Sequence, residues 1–274
     1  MIFGLIAYFT TLKYKTYTKP DQNTDEHAGA KEKNRGILKS LFGSFKNKNF
    51  MSVVKGYMFT NILTALANSF ALHVYTFTFD LTSARIATLL GIQLAMAVLS
   101  QPIWVLISKK FDKKPAILAG IGLGCLGCLV LFLTVIFRQD IPGIFYLLSV
   151  ISAMLGFASG VMLSMPYSMV ADTVDFEETT SGNRSEGTYY GVLTLCYKAS
   201  QSIAIILLGV FLEAIGFNPD IKVQTYSVST SLGLVVAIGG IITLTLAAIS
   251  YKGYFLDQKT VEQFQKARTL SKVG

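Results

Sequence analysis

The chain has 274 residues, of which 52% are hydrophobic and only 15% charged, and its mean hydropathy is +0.51. Apolar runs of 20 or more residues recur along it, which excludes a water-soluble globular domain and indicates an all-α membrane protein that crosses the bilayer repeatedly. The formal charge of +8 would suit a nucleic-acid binder by number alone, but the placement of the basic residues, set out below, excludes a nucleic-acid partner.

In chain order, Met1 to Phe9 is apolar but only nine residues long, about 14 Å as a helix. That is half a membrane span, so residues 1–11 are expected to be the end of a transmembrane helix whose first part is absent. Residues 12–49 form a polar, Lys-rich linker interrupted by Pro20, Asp21, Asn23 and Gly29. Its last part places Ile37, Leu38, Leu41, Phe42 and Phe45 on one helical face, the pattern of a short amphipathic helix lying on the membrane surface. Six complete spans are predicted within residues 50–251, at Phe50–Phe79, Leu81–Ser108, Pro115–Phe137, Gly143–Ala171, Thr188–Gly216 and Thr230–Tyr251. Residues 252–274 are a polar tail.

The basic residues orient this bundle. Nine lie in the linker, four in Lys109 to Lys114, one at Arg184 and five in the tail, against only Arg85, Arg138 and Lys222 on the opposite side. The positive-inside rule puts the linker, both inner turns and the C-terminus in the cytoplasm. The charge is topology.

The stretch that carries chemistry runs from Met169 to Ile203. An acidic, Gly-bearing polar turn, Asp172 to Gly187, is expected between the fourth and fifth spans. Asp172, Asp175 and Arg184 there can form a cytoplasmic gate of ion pairs, or simply a solvated hairpin punctuated by Gly182 and Gly187. Lys198 lies ten residues inside the fifth span, about 15 Å along a helix and so in mid-bilayer. A cation there costs roughly 2.5–3.5 kcal/mol and is expected to face a bundle interior or an aqueous cavity. On its own helical face Thr194 lies at i−4, Gln201 at i+3 and Tyr190 a further turn back; the stripe suits a polyhydroxylated ligand. No Asp or Glu sits mid-span, so a carboxylate for Lys198 has to come from outside these helices or from substrate.

The remaining features have plainer readings. Lys109-Lys-Phe-Asp-Lys-Lys114 is a basic turn between spans. His73 reads as a polar packing residue. Cys125 and Cys128 sit in a Gly-rich helix and, with Gly120, Gly124 and Gly127, make a smooth face for close packing. Gly156 and Gly160 make a second such face. Trp104, beside Pro102, could stack on a sugar, but is expected to be a bundle or belt aromatic. No phosphate loop, metalloprotease helix, paired-carboxylate site or nucleophile elbow is present. An enzyme, a cofactor and a metal site are not expected.

Met169-Val-Ala-Asp-Thr-Val-Asp-Phe176, Ser181-Gly-Asn-Arg-Ser-Glu-Gly187 and the run Tyr190 to Lys198 closely resemble the glycoside–pentoside–hexuronide:cation symporter family of the major facilitator superfamily. Tyr254-Phe-Leu-Asp-Gln-Lys-Thr-Val-Glu-Gln-Phe264 and Asn47-Lys-Asn-Phe50 are similar to that family as well. The resemblance implies one half of a major-facilitator fold: the C-terminal six-helix bundle, preceded by the end of a sixth helix. It implies a bacterial-type plasma membrane, and a cation-coupled symporter of a sugar or glycoside working by alternating access. Lys198, Thr194 and Tyr197 would line the sugar path. Sodium or a proton would be bound by acidic residues of an N-terminal half, the expected partner. Leu193 and Leu163 stand where melibiose carriers have Gln and Trp, which argues against melibiose. The alternatives are a carrier of another solute, such as a lipid or drug, and a half-protein that does not transport.

Overall fold

A computed structural model describes residues 43–181, 186–221, 223–257 and 260–261. The expected terminal stub, most of the amphipathic segment, Arg184 and the end of the tail lie outside the described residues.

Among the described residues, six helices are long and apolar enough to cross a membrane. They are α1 (Lys48–His73), α2 (Ser83–Phe111), α3 (Lys113–Ile136), α4 (Ile144–Ser181), α5 (Glu186–Ala214) and α6 (Tyr226–Lys252). Side chains cap the starts of α1 and α3. The Asn47 side chain accepts the N–H groups of Asn49 (3.0 Å) and Phe50 (3.2 Å), capping α1. Asp112 is the whole connection between α2 and α3, and its carboxylate accepts the Lys113 N–H at 2.5 Å. Its φ of 83° is a conformation that few non-glycine residues adopt; the one-residue reversal requires it. At its far end α1 widens into a π-helical turn, Val74–Thr78, closed by the Phe79 N–H on the Val74 carbonyl at 3.2 Å.

Packing follows the small residues. α1, α6, α3 and α4 form a ring in which each packs on the next, while α5 leans on α1 and α2 on α4. In lipid there is little hydrophobic drive between apolar helices, so close van der Waals approach has to hold them. A Cβ at Gly156 of α4 would collide with the Gln93 carbonyl of α2, and one at Gly160 with Ser100 and the Ala97 carbonyl. Gly124 and Gly127 of α3 would meet Leu244 at 3.0 Å and Leu155 at 2.8 Å. Both predicted small-residue faces are therefore helix contacts, and Cys125 and Cys128 are free thiols. Trp104 is buried, with its indole N–H donating to the Phe157 carbonyl at 2.8 Å. The His73 ring packs edge-on against Phe217 at 5.3 Å.

One element differs from expectation. The stretch from Asp172 is not a turn at first: α4 runs unbroken to Ser181, and α5 begins at Glu186. Thr173 and Val174 are buried beside Met169 and Val170, so the packed face of α4 continues past the apolar run and keeps the chain helical.

Candidate functional site

Halfway along the bundle a cavity of about 420 Å³ opens between α1, α2 and α4. Each helix gives it one face at helical spacing: Thr60, Thr64 and Asn68 from α1, Gln93 and Ala97 from α2, Ser159 and Met162 from α4. Gly124 and Cys128 of α3 and Leu244 of α6 close its back. None of the residues lining it is charged. Most of its hydroxyls are already spent, since Thr60 donates to the Tyr57 carbonyl (3.0 Å), Thr64 to that of Thr60 (2.9 Å) and Ser159 to that of Gly156 (2.7 Å). Such bonds along a helix are how hydroxyls are tolerated in an apolar environment.

One turn toward the Lys113 end, a layer of tyrosines ties three helices together. The hydroxyls of Tyr57 (α1) and Tyr167 (α4) are 2.9 Å apart, and their rings meet edge to face with centroids at 5.8 Å. Tyr190 of α5 stacks on Tyr167 at 6.5 Å and donates its hydroxyl to the Tyr167 carbonyl at 3.1 Å. Tyr197 lies 6.4 Å from Tyr57. Tyr57 is four residues before Asn61 and Tyr167 four after Leu163, and both of those residues line the cavity. The layer therefore lies one helical turn away from the cavity, whose lining contains no tyrosine.

The predicted residues of α5 fall in two groups. Tyr190 and Tyr197 belong to the tyrosine layer. Thr194 and Lys198 are exposed on the surface of the six-helix bundle and Gln201 is half-buried. Thr194 donates to the Tyr190 carbonyl at 2.9 Å, and the Lys198 ammonium lies 5.6 Å from the centre of the Tyr197 ring, within cation–π range. Of the two settings expected for Lys198, a bundle interior or an aqueous cavity, the interior of these six helices is not where it lies. Exposed apolar residues such as Leu195 and Ile205 share the outer surface of α5 with it.

At the Lys113 end the charges knit elements together. Lys113 donates to Asp172 at 2.6 Å, with 26% and 9% of the two side chains exposed. The Tyr254 hydroxyl donates to the same carboxylate oxygen at 3.2 Å. Burial and the Asp172 charge push the Tyr254 phenol up from its usual range, so it remains a donor. Lys114 donates to the carbonyls of Lys252 (2.8 Å) and Tyr254 (2.9 Å), and Asn47 to Glu177 at 3.0 Å. The basic turn is thus a structural clasp as well as a topology signal. Asp172 is engaged by Lys113 of the α2–α3 turn, and Arg184 lies outside the described residues. Sequence reasoning missed Tyr57, Tyr167, Asn68, Gln93 and Lys113. The fourfold spacing of Thr60, Thr64 and Asn68 in an apolar span was the available signal.

A largely apolar, uncharged cavity at mid-depth carrying a few polar side chains, inside a bundle of membrane-length helices, is a feature of carriers. A family model described as MFS/sugar transport protein matches residues 1–258. The chain belongs to this family. Its members are membrane transporters rather than enzymes. Among named relatives, an uncharacterized symporter of Synechocystis is 26% identical over 211 residues, 73% of this chain and 37% of that protein. A Salmonella typhimurium protein named as a candidate sulfoquinovose importer is 29% identical over 202 residues, 72% of this chain and 40% of that one. The human sodium-dependent lysophosphatidylcholine symporter 1 is 22% identical over 220 residues, 80% and 39% respectively. The chain matches about two fifths of the length of each of these relatives.

Proposed function

We propose that this chain supplies the C-terminal six-helix half of a cation-coupled symporter for a sugar or glycoside, working by alternating access. The observation that carries the reading is Lys198. It lies 12 residues from the start of α5, about 18 Å along the helix, and it is exposed on the outside of this bundle. A cation at that depth against lipid costs roughly 2.5–3.5 kcal/mol. Facing an aqueous path closed on its other side by an N-terminal six-helix half, it costs far less and gains a ligand.

In this reading Lys198 holds a substrate hydroxyl or carboxylate, and Thr194, Tyr197, Tyr190 and Gln201 line the same path. Asp172, Asp175 and Arg184 work the cytoplasmic gate. Opening on that side requires the Lys113–Asp172 pair to separate or to move with its helices. Sodium or a proton binds in the other half, and the basic end faces the cytoplasm. A second reading is a carrier of an amphiphile with an anionic head, favoured by apolar cavity residues such as Leu90, Leu94 and Met162. It predicts transport insensitive to sugar competitors.

The test is uptake of radiolabelled sugars into proteoliposomes of the carrier that contains these helices, with and without an inward sodium or proton gradient. Gradient-dependent uptake, falling at least about tenfold in Lys198→Ala, is the expected result. Uptake that ignores both gradients, or that survives Lys198→Ala unchanged, refutes the proposal.

A further inference from the structure

Three side-chain amides line the uncharged cavity; Asn61 donates to the Tyr57 carbonyl at 2.8 Å, while Asn68 from α1 and Gln93 from α2 are the other two. Neither of these two makes a hydrogen bond to another described residue. The neighbouring hydroxyls of Thr60, Thr64 and Ser159 have their protons committed to their own helices. Asn68 and Gln93 each keep two N–H donors and a carbonyl acceptor unused. Asn68 is 20 residues along α1, and Gln93 is ten residues into α2. At 1.5 Å per residue Asn68 lies about 30 Å along the first span, Lys48–Thr78, and Gln93 about 15 Å into α2, both within the length that a hydrocarbon core of roughly 30 Å takes up.

Their placement is built into the backbone. Gly156 lets the Gln93 carbonyl press against α4, which fixes where the Gln93 side chain emerges. Asn68 continues the row begun by Thr60 and Thr64 on the facing helix. Leu90, Leu94 and Leu163 supply an apolar wall to the same cavity. Its volume, about 420 Å³, lies within the roughly 300–1,000 Å³ usual for small-molecule sites.

We propose that Asn68 and Gln93 form an uncharged hydrogen-bonding subsite that takes the hydroxyl groups of a neutral, polyhydroxylated part of the substrate. An amide donates and accepts at once, which matches adjacent hydroxyls, each of them both donor and acceptor. The apolar wall takes the C–H face of the ring. A carboxylate or sulfonate does not belong here, since the lining offers it no cation; that part of a substrate goes to Lys198. The proposal rests on the sugar-carrier reading above and adds where, and by what chemistry, the neutral portion is read.

The experiment uses the carrier that contains these helices, in proteoliposomes, with tritiated D-glucose, methyl β-D-galactopyranoside and D-glucuronate as probes. For whichever probe the wild type takes up, Asn68→Leu and Gln93→Leu each raise KM about tenfold or more, as expected when a desolvated hydroxyl loses its partner. Maximal rates stay within about twofold of wild type, and Asn68→Gln and Gln93→Asn recover part of the lost affinity. If a leucine variant fails to insert, the truncations Asn68→Ala and Gln93→Ala carry the same expectation. KM values unchanged in inserted variants, with the wild type active, overturn the subsite and leave the carrier reading standing. A wild type that takes up none of the probes overturns both.

Discussion

Replacing Lys113 by methionine tests the clasp at the basic end most sharply, because the two members of its ion pair differ in exposure. The side chain of Asp172 is only 9% exposed, while that of Lys113 is 26% exposed. Lys113→Met leaves a buried carboxylate with one remaining described donor, Tyr254 at 3.2 Å. Breaking a buried pair in this way costs about 3–5 kcal/mol. Asp172→Asn leaves an ammonium that can still extend toward water, so its cost is smaller, about 1–2 kcal/mol. The double variant Lys113→Met, Asp172→Asn removes both charges and is expected to be more stable than Lys113→Met alone. Thermal unfolding of the purified protein in detergent measures this, at about 2–4 °C per kcal/mol for a bundle of this size. Equal losses from the two single variants, or strictly additive losses in the double, would refute the claim that Asp172 is held buried by Lys113.

Three further outcomes follow from the packing. Gly156→Leu drives a side chain into the Gln93 carbonyl and is expected to destabilise by about 1–3 kcal/mol or more, read as a lower melting temperature; Gly122→Leu, at a position with open space, leaves it unchanged. Tyr57→Phe and Tyr167→Phe each break the same 2.9 Å bond and keep the rings, so each costs about 1 kcal/mol and the double variant costs no more than one alone. Trp104→Phe removes the indole bond to the Phe157 carbonyl and is expected to lower stability by about 1–3 kcal/mol without changing substrate affinity.

The six spans were legible because each is a long apolar run, and a membrane leaves such a run little choice but helix. Gly156 and Gly160 were legible as a contact face for the same reason, since in lipid only small residues let helices close up. The depth of Lys198 could be counted from sequence, but its direction could not. Which face of α5 meets α1 depends on side-chain fit across helices, and that fit turned Lys198 outward. The helical course of Asp172 to Ser181 was hidden by its charge: acidic residues resemble a turn unless one knows that Thr173 and Val174 still have α4's neighbours to pack on. Lys113 and Asp172 are 59 positions apart and no local pattern joins them. The cavity was illegible for a related reason. Its α1 row is joined by one polar group from α2, Gln93, and one from α4, Ser159, and only folding collects them.

α6 is fastened to its neighbours at both ends. On the basic side the Phe255 N–H reaches Asn49 at the start of α1 (2.9 Å), and Lys114 of α3 holds the carbonyls that end α6. On the other side Thr78 donates to the Ser229 carbonyl (2.6 Å), Ser229 to that of Phe77 (2.5 Å), and Arg138 to Thr230 (2.9 Å). A beam pinned at both ends bends far less than one pinned at one. α1, α3 and α6 are thereby tied together at both membrane faces. Elastic give has to come from α2 and α5, each of which rides mainly on one neighbour.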